Sequence, residues 1–201
     1  MPSISSVQIC NFGLSHVGAK GSIESLDEAS REAQVCKLWF DWSRNQVLED
    51  FNWPFARKRQ KLALLSGEDP PAEWSYRYNY PSDCVKARFI VNPVGKEADA
   101  IPFTVETISD GSLKSILADL ENAELVYTFD QTDPTLFSSK FIDALSYRVA
   151  TNIAFQITGD PELAAQVFKV YGTVLRSATG SSAQEGIDQL PRDAEWIRSR
   201  F

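Results

Sequence analysis

The side chains able to do acid–base, nucleophilic or metal chemistry are few and scattered in this sequence. His16 is the only histidine, which removes His-based metal centres and most nucleophile–base triads. Cys10, Cys36 and Cys84 are odd in number, far apart and without CxxC spacing. They read as small apolar core residues of a reducing compartment. A Cys36 or Cys84 nucleophile with His16 as its base has no local support. Asp110, Asp119, Glu121 and Glu124 supply carboxylates for a paired acid–base or metal site, yet they fall in a turn and a polar connector. An exposed acidic loop is the simpler reading. Glycines number 10 of 201 and form neither GxGxxG nor GxxxxGKS/T, so no phosphate cradle is present. No catalytic residue, cofactor or metal is expected, and the remaining chemistry is that of binding.

Three segments carry binding character. Arg57-Lys58-Arg59-Gln60-Lys61 is the densest basic run, suited to a phosphate backbone or an acidic partner. The same cations are also what an exposed strand edge carries to discourage mispairing. Trp74, Tyr76, Tyr78 and Tyr80 stand at every second position. They stack bases in a nucleic-acid-binding module, or they line the buried face of a sheet. Residues 183–201 end in Trp196, Ile197 and Phe201 among Asp193, Glu195, Arg198 and Arg200. Apolar groups of this size gain about 1.5–3 kcal/mol each on burial, so such a tail folds back on its own chain or docks on a neighbour.

Charge narrows these readings. The chain carries a formal net charge of −7, against a protein that wraps nucleic acid with a basic face. Residues 56–96 hold eight basic and four acidic side chains, whereas residues 97–133 hold one basic and nine acidic. Opposite charges on different surfaces are one outcome, a solvated insertion the other. Hydrophobic residues at 43% suffice for a real core. No apolar run approaches the roughly 18 residues of a membrane span, and residues 1–15 lack a basic signal-peptide region. A cytoplasm-like environment is expected.

The elements that position these groups are legible from periodicity. Ser3 or Ser5 caps a short helix that ends near Gly18. Ser25 with Glu28 reads as a capping box opening a helix of about 27 residues, stopped at Asn52-Trp53-Pro54. The tyrosine ladder gives the clearest strand signal, and residues 85–91, 103–108 and 125–129 read as further strands. Asp133 with Pro134 opens the next helix, Thr158-Gly159 ends it, and Asp160-Pro161 opens another that gives way to tail at Gly180. The expected fold class is α+β: mainly a helical bundle (residues 1–55 and 132–180) with a β-rich insertion (56–131) and an extended C-terminal docking tail (181–201).

Asn52-Trp53-Pro54-Phe55-Ala56, the run from Trp74 through Tyr76, Tyr78, Tyr80 and Pro81 to Cys84, Pro102-Phe103-Thr104-Val105-Glu106, Thr132-Asp133-Pro134 to Phe137, Phe141 to Leu145 and Ile157 to Asp160 occur in an ordered series. In that order and spacing the chain resembles the tail tubular protein A family of podovirus head-to-tail adaptors. The resemblance covers residues 23–178. It implies a structural virion protein at the head–tail junction, assembled in the host cytoplasm. It implies a homo-oligomeric ring of about twelve copies, closed by repeated identical contacts. The ring binds the portal protein above and a tail nozzle, tail tubular protein B-like, below. DNA passes through its lumen without sequence-specific binding. The family's C-terminal segment reaches toward the portal, which makes Trp196, Ile197, Arg198, Arg200 and Phe201 the expected portal contacts. No catalytic residues, cofactor, metal or membrane association come with the family. The alternative is the nucleic-acid-binding module built on the Tyr/Trp ladder and the basic run.

Overall fold

The computed structural model describes residues 4–94 and 101–184. Among these residues the class is α+β, with four helices and two antiparallel three-stranded sheets. Helix α1 (Ser6–His16) starts on a capping box in which Ser5 accepts the Gln8 amide and Gln8 returns a bond to the Ser5 amide. It ends where Gly18 takes φ +68°, a conformation costly for any residue with a Cβ. Helix α2 (Arg31–Asp50) is shorter than expected and is capped by Ser30. The Ser25/Glu28 signal forms a turn instead of a helix start. The Glu28 carboxylate accepts the Glu24 and Ser25 amides, and the Ser25 hydroxyl accepts the Asp27 amide. With those donors satisfied locally, the helix begins at the next competent cap.

A 3-10 turn at Pro54–Ala56 leads into β1 (Arg57–Lys61). The remaining strands are β2 (Tyr76–Asn79), β3 (Cys84–Ile90), β4 (Phe103–Thr107), β5 (Lys114–Ala118) and β6 (Glu124–Phe129). They form sheets of order β1-β6-β3 and β2-β5-β4. The two sheets share one apolar core that includes Tyr78, Ile90, Ile116, Leu125 and Tyr127. Single bridges, Ile90 to Ile101 and Leu64 to Tyr78, join the sheets at their borders. Strand β5 escaped the sequence reading. As a central strand it buries Ser115, Ile116, Leu117 and Ala118 in succession and shows no period-two alternation.

Asp133 caps only a 3-10 turn at Pro134–Leu136, because Phe137 is drawn in an extended conformation into the helical core. Helix α3 (Ser139–Thr158) is capped by Ser138 and closed by Gly159 at φ +72°. Asp160 accepts the amides of Glu162 and Leu163 and so opens α4 (Pro161–Gln184), which continues through Gly180 instead of ending there. Helices α1, α2 and α4 all pack on α3. Gly13 permits the closest approach, since a Cβ there would lie 3.1 Å from Val149 and 3.2 Å from the Ser146 carbonyl oxygen. Trp53 sits at the junction of the two halves, fully buried in the helical core with Phe51, Phe55 and Phe141 around it.

Candidate interaction surface

The one site where a hydroxyl, an imidazole and a carboxylate come together lies between α1 and α3. His16 Nε2 is 3.0 Å from Ser146 Oγ, and the His16 ring stacks on Tyr147 at 3.8 Å. They border a cleft of about 490 Å³ that also takes in Phe12, Lys140 and Asp143. This arrangement does not make a nucleophile. The Ser146 hydroxyl donates to the Asp143 carbonyl at 2.8 Å, so His16 acts as donor to it and accepts no proton from it. Ser146 is also buried in the middle of α3. Cys36 and Cys10 lie in the helical core, where their mutual hydrogen bond and burial push the Cys10 thiol far above the usual range. The same hydrogen bond lowers the Cys36 thiol, but Cys36 is 0% exposed in the helical core and presents no sulfur to a substrate.

Burial lowers the His16 pKa, and the Asp143 carboxylate opposes the shift without cancelling it. The unfolded chain then binds more protons than the folded one in the window below 6.5, the ordinary value. Stability is complete above that value and declines as pH falls toward the folded-state pKa. The thermal midpoint of the wild type should drop between about pH 7 and about pH 5.5 relative to a His16→Gln variant. Parallel pH profiles of the two proteins would refute this assignment.

The acidic residues are dispersed. Asp110 accepts the Ser112 amide, Asp119 accepts the Ser75 amide and hydroxyl, and Glu124 lies 4.0 Å from Arg59. Each serves its own turn or strand pair. Among the described residues, no group of three His, Cys, Asp or Glu side chains is placed to hold a metal ion, and no helix is long and apolar enough to cross a membrane.

The tyrosine ladder is divided between the core and its rim. Tyr78 is 1% exposed, and its hydroxyl donates to the Leu120 carbonyl, so its ring is unavailable for base stacking. Tyr76 stacks on Tyr78, and Tyr76 and Tyr80 are half-buried against the same core. Trp74 precedes the strand and is half-buried, while Pro81 is buried just beyond it. Arg77, between the tyrosines, is buried and reaches Ser115 at 3.1 Å and Glu68 at 3.7 Å. The basic run behaves differently: it forms β1, an edge strand with all five residues exposed. Of the motif around Trp53, Pro54 is exposed and Phe55 is half-buried in the aromatic cluster.

The features that sequence reasoning missed are surfaces. Leu38 and Trp42, one turn apart on α2, are 66% and 59% exposed. Phe155 on α3 and Phe168 and Val170 on α4 are exposed as well. A signal was present, since Trp42 widened the apolar stripe beyond what one core-facing side of a helix can bury. A cleft of about 490 Å³ follows α2 toward the sheet, lined by Asn45, Glu49, Ser82, Asp83, Cys84, Val85 and Asp130. Two of its three carboxylates are engaged: Lys58 bonds Asp83 at 2.6 Å, and Arg44 bonds Asp130 at 2.9 Å. Burial pushes the Asp83 pKa up, but the hydrogen bonds from Lys58 and Tyr127 outweigh it and leave the carboxyl below its ordinary value. The expected portal contacts Trp196, Ile197, Arg198, Arg200 and Phe201 lie outside the described residues. No protein-family model and no curated protein matches this chain.

Proposed function

We propose that this chain is a structural subunit of a phage head-to-tail adaptor, a ring between portal and tail nozzle through which the genome leaves. The observation that carries the proposal is the set of large apolar side chains uncovered on three helices: Leu38 and Trp42, Phe155, and Phe168 with Val170. Each is 42–66% exposed, so a neighbour that covers it adds about half of the roughly 1.5–3 kcal/mol that full burial brings, and a ring repeats that gain at every contact. Scattered exposed apolar residues are ordinary, but Leu38 and Trp42 occupy adjacent turns of one face, as docking patches do. In this reading the helices form one bundle, the strands are an insertion beside it, and the chain after Gln184 is the tail that docks on the portal. The net charge of −7 suits a lumen that must release DNA without holding its phosphates.

The test is to mix the purified protein with its cognate portal ring and measure the mass of the complex. A gain of about twelve subunits per ring, the copy number that the family resemblance implies, is the expected result. Absence of any complex between folded partners would overturn the adaptor reading. The basic edge β1 favours one alternative, a nucleic-acid-binding module. The burial of Tyr78 removes half of its original basis, and that reading predicts a salt-sensitive gel shift by the free protein.

A further inference from the structure

We propose that residues 185–192 fold back into the cleft between α1 and α3 of their own subunit, an anchor from which the rest of the tail leaves. The anchor stands without the adaptor reading, which supplies only the destination of the residues beyond it.

The path of α4 brings the chain to this place. Helices α3 and α4 are joined at Gly159-Asp160 and pack against each other. The Arg148 guanidinium lies 5.3 Å from the centre of the Tyr171 ring, which sets these two residues at one level. Counting away from that pair, Phe141 comes level with Ala178, buried in the same core, and Ser139 comes level with Gly180. Helix α4 continues to Gln184, four residues or about 6 Å past the start of α3. The cleft opens at that end of α3, between Ser139, Lys140, Ile142 and Asp143 of its first turns and Phe12 and His16 of α1. Ile187 and Leu190 stand three and six residues after Gln184. At about 3.3 Å per extended residue they reach about 10 and 20 Å from the helix end, against the roughly 8–10 Å between packed helices. Gly186 precedes them, and glycine is the residue on which a chain most readily turns out of a helix.

What the cleft offers fits what this segment carries. Phe12, 46% exposed, and the half-buried Ile142 give it apolar walls. Its volume of about 490 Å³ suits a pair of branched aliphatic side chains with their backbone. Lys140 is exposed and meets no carboxylate of the described residues at ion-pair distance. Glu185 and Asp188 flank the site of Ile187 and supply one. Asp143 stands exposed on the far side, and Arg192 follows Leu190. Along the segment the order is acid, apolar, base, and the cleft answers with base, apolar, acid. A tether this short holds the segment at an effective concentration of about millimolar, so contacts too weak to retain a free peptide suffice.

The test uses the full chain without the portal. A water-soluble carbodiimide activates a carboxylate, the Lys140 amine attacks it, an amide forms and the urea leaves; peptide mass spectrometry then locates the bond. Expected is an amide within one chain from Lys140 to Glu185 or Asp188. Its yield should fall about tenfold when Ile187→Ser and Leu190→Ser are combined, since both reacting groups remain and only the apolar contacts are lost. His16, the only histidine, gives a single imidazole resonance from inside the cleft, and that resonance should shift in the same variant. An undiminished cross-link together with an unmoved His16 resonance would overturn the fold-back. Cross-links found only between differently isotope-labelled copies would overturn it as well, because the segment would then occupy a neighbour's cleft. A chain that passes both tests and ignores the portal upholds the anchor and removes the adaptor reading. One that assembles on the portal and fails both does the reverse.

Discussion

Replacing Trp53 with alanine should destabilise the protein by about 3–5 kcal/mol, the cost of removing a fully buried large aromatic. The whole stability of a domain is about 5–15 kcal/mol, so one substitution removes much of it. Trp53 is 0% exposed, and its ring meets Phe51 and Phe141 edge-on at 5.3 and 5.1 Å. Its indole Nε1 donates to the Val47 carbonyl at 2.7 Å, close to the end of α2, where helix carbonyls start to lack intrahelical partners. The residue therefore packs the core and anchors the end of α2. Trp53→Phe separates the two roles. It keeps most of the packing and loses the hydrogen bond, for a cost of about 1–3 kcal/mol. Urea unfolding of both variants checks the ordering. An alanine variant within about 1 kcal/mol of wild type would contradict the placement of this side chain.

Arg88→Met should cost about 3 kcal/mol, and its effect should concentrate where helices meet strands. The Arg88 guanidinium projects from β3 and takes three acceptors: Thr128 Oγ1 at 2.8 Å, the Leu48 carbonyl at 2.8 Å and the Phe51 carbonyl at 2.6 Å. Helix α2 has no basic residue in its last turn, so cations from the sheet satisfy its terminal carbonyls. Lys86 joins from the same strand by donating to the Glu49 carbonyl at 3.3 Å. A cation at a helix C-terminus also meets the negative end of the helix dipole. Burial lowers the Arg88 pKa from its usual value, yet a guanidinium remains charged throughout the working range. Arg88→Lys keeps the charge without the planar fork, so it should recover less than half of the loss. Hydrogen exchange provides the local readout. Amides at the end of α2 and along β3 should exchange faster in Arg88→Met, while those in the middle of α3 change little. Uniform acceleration along the chain would mean that Arg88 supports the whole fold and not this joint.

Both sites show the limits of local reading. Trp53 was legible as a motif residue before a proline. That its indole would close α2 and meet Phe141, some 90 positions later in the sequence, was not. Arg88 sat in a predicted strand with nothing to distinguish it from any exposed cation. Its importance comes from the carbonyls it faces, and those belong to a helix that ends 38 residues earlier.

The sequence by itself determined the α+β class, the turns at Gly18 and Gly159, a serine cap at Ser3 or Ser5 and most strand positions. These depend on backbone conformation and on apolar spacing over a few residues, information that each segment carries alone. For the basic run it left a strand edge and a phosphate or partner contact both open, and the fold supplies the strand. Tertiary structure decided the rest. The start of α2 moved to Ser30 because Glu28 found nearer amides. The start of α3 moved to Ser138 because Phe137 was taken into the core. Strand β5 emerged because a strand covered on both faces loses the alternation that marks other strands. Of the four ladder aromatics only Tyr78 is fully buried, since only one lies over the centre of the shared core. The exposed face of Leu38 and Trp42 is also a tertiary fact. Whether an apolar side chain or an unpaired strand is covered depends on what the rest of the chain brings against it, and no local window contains that information.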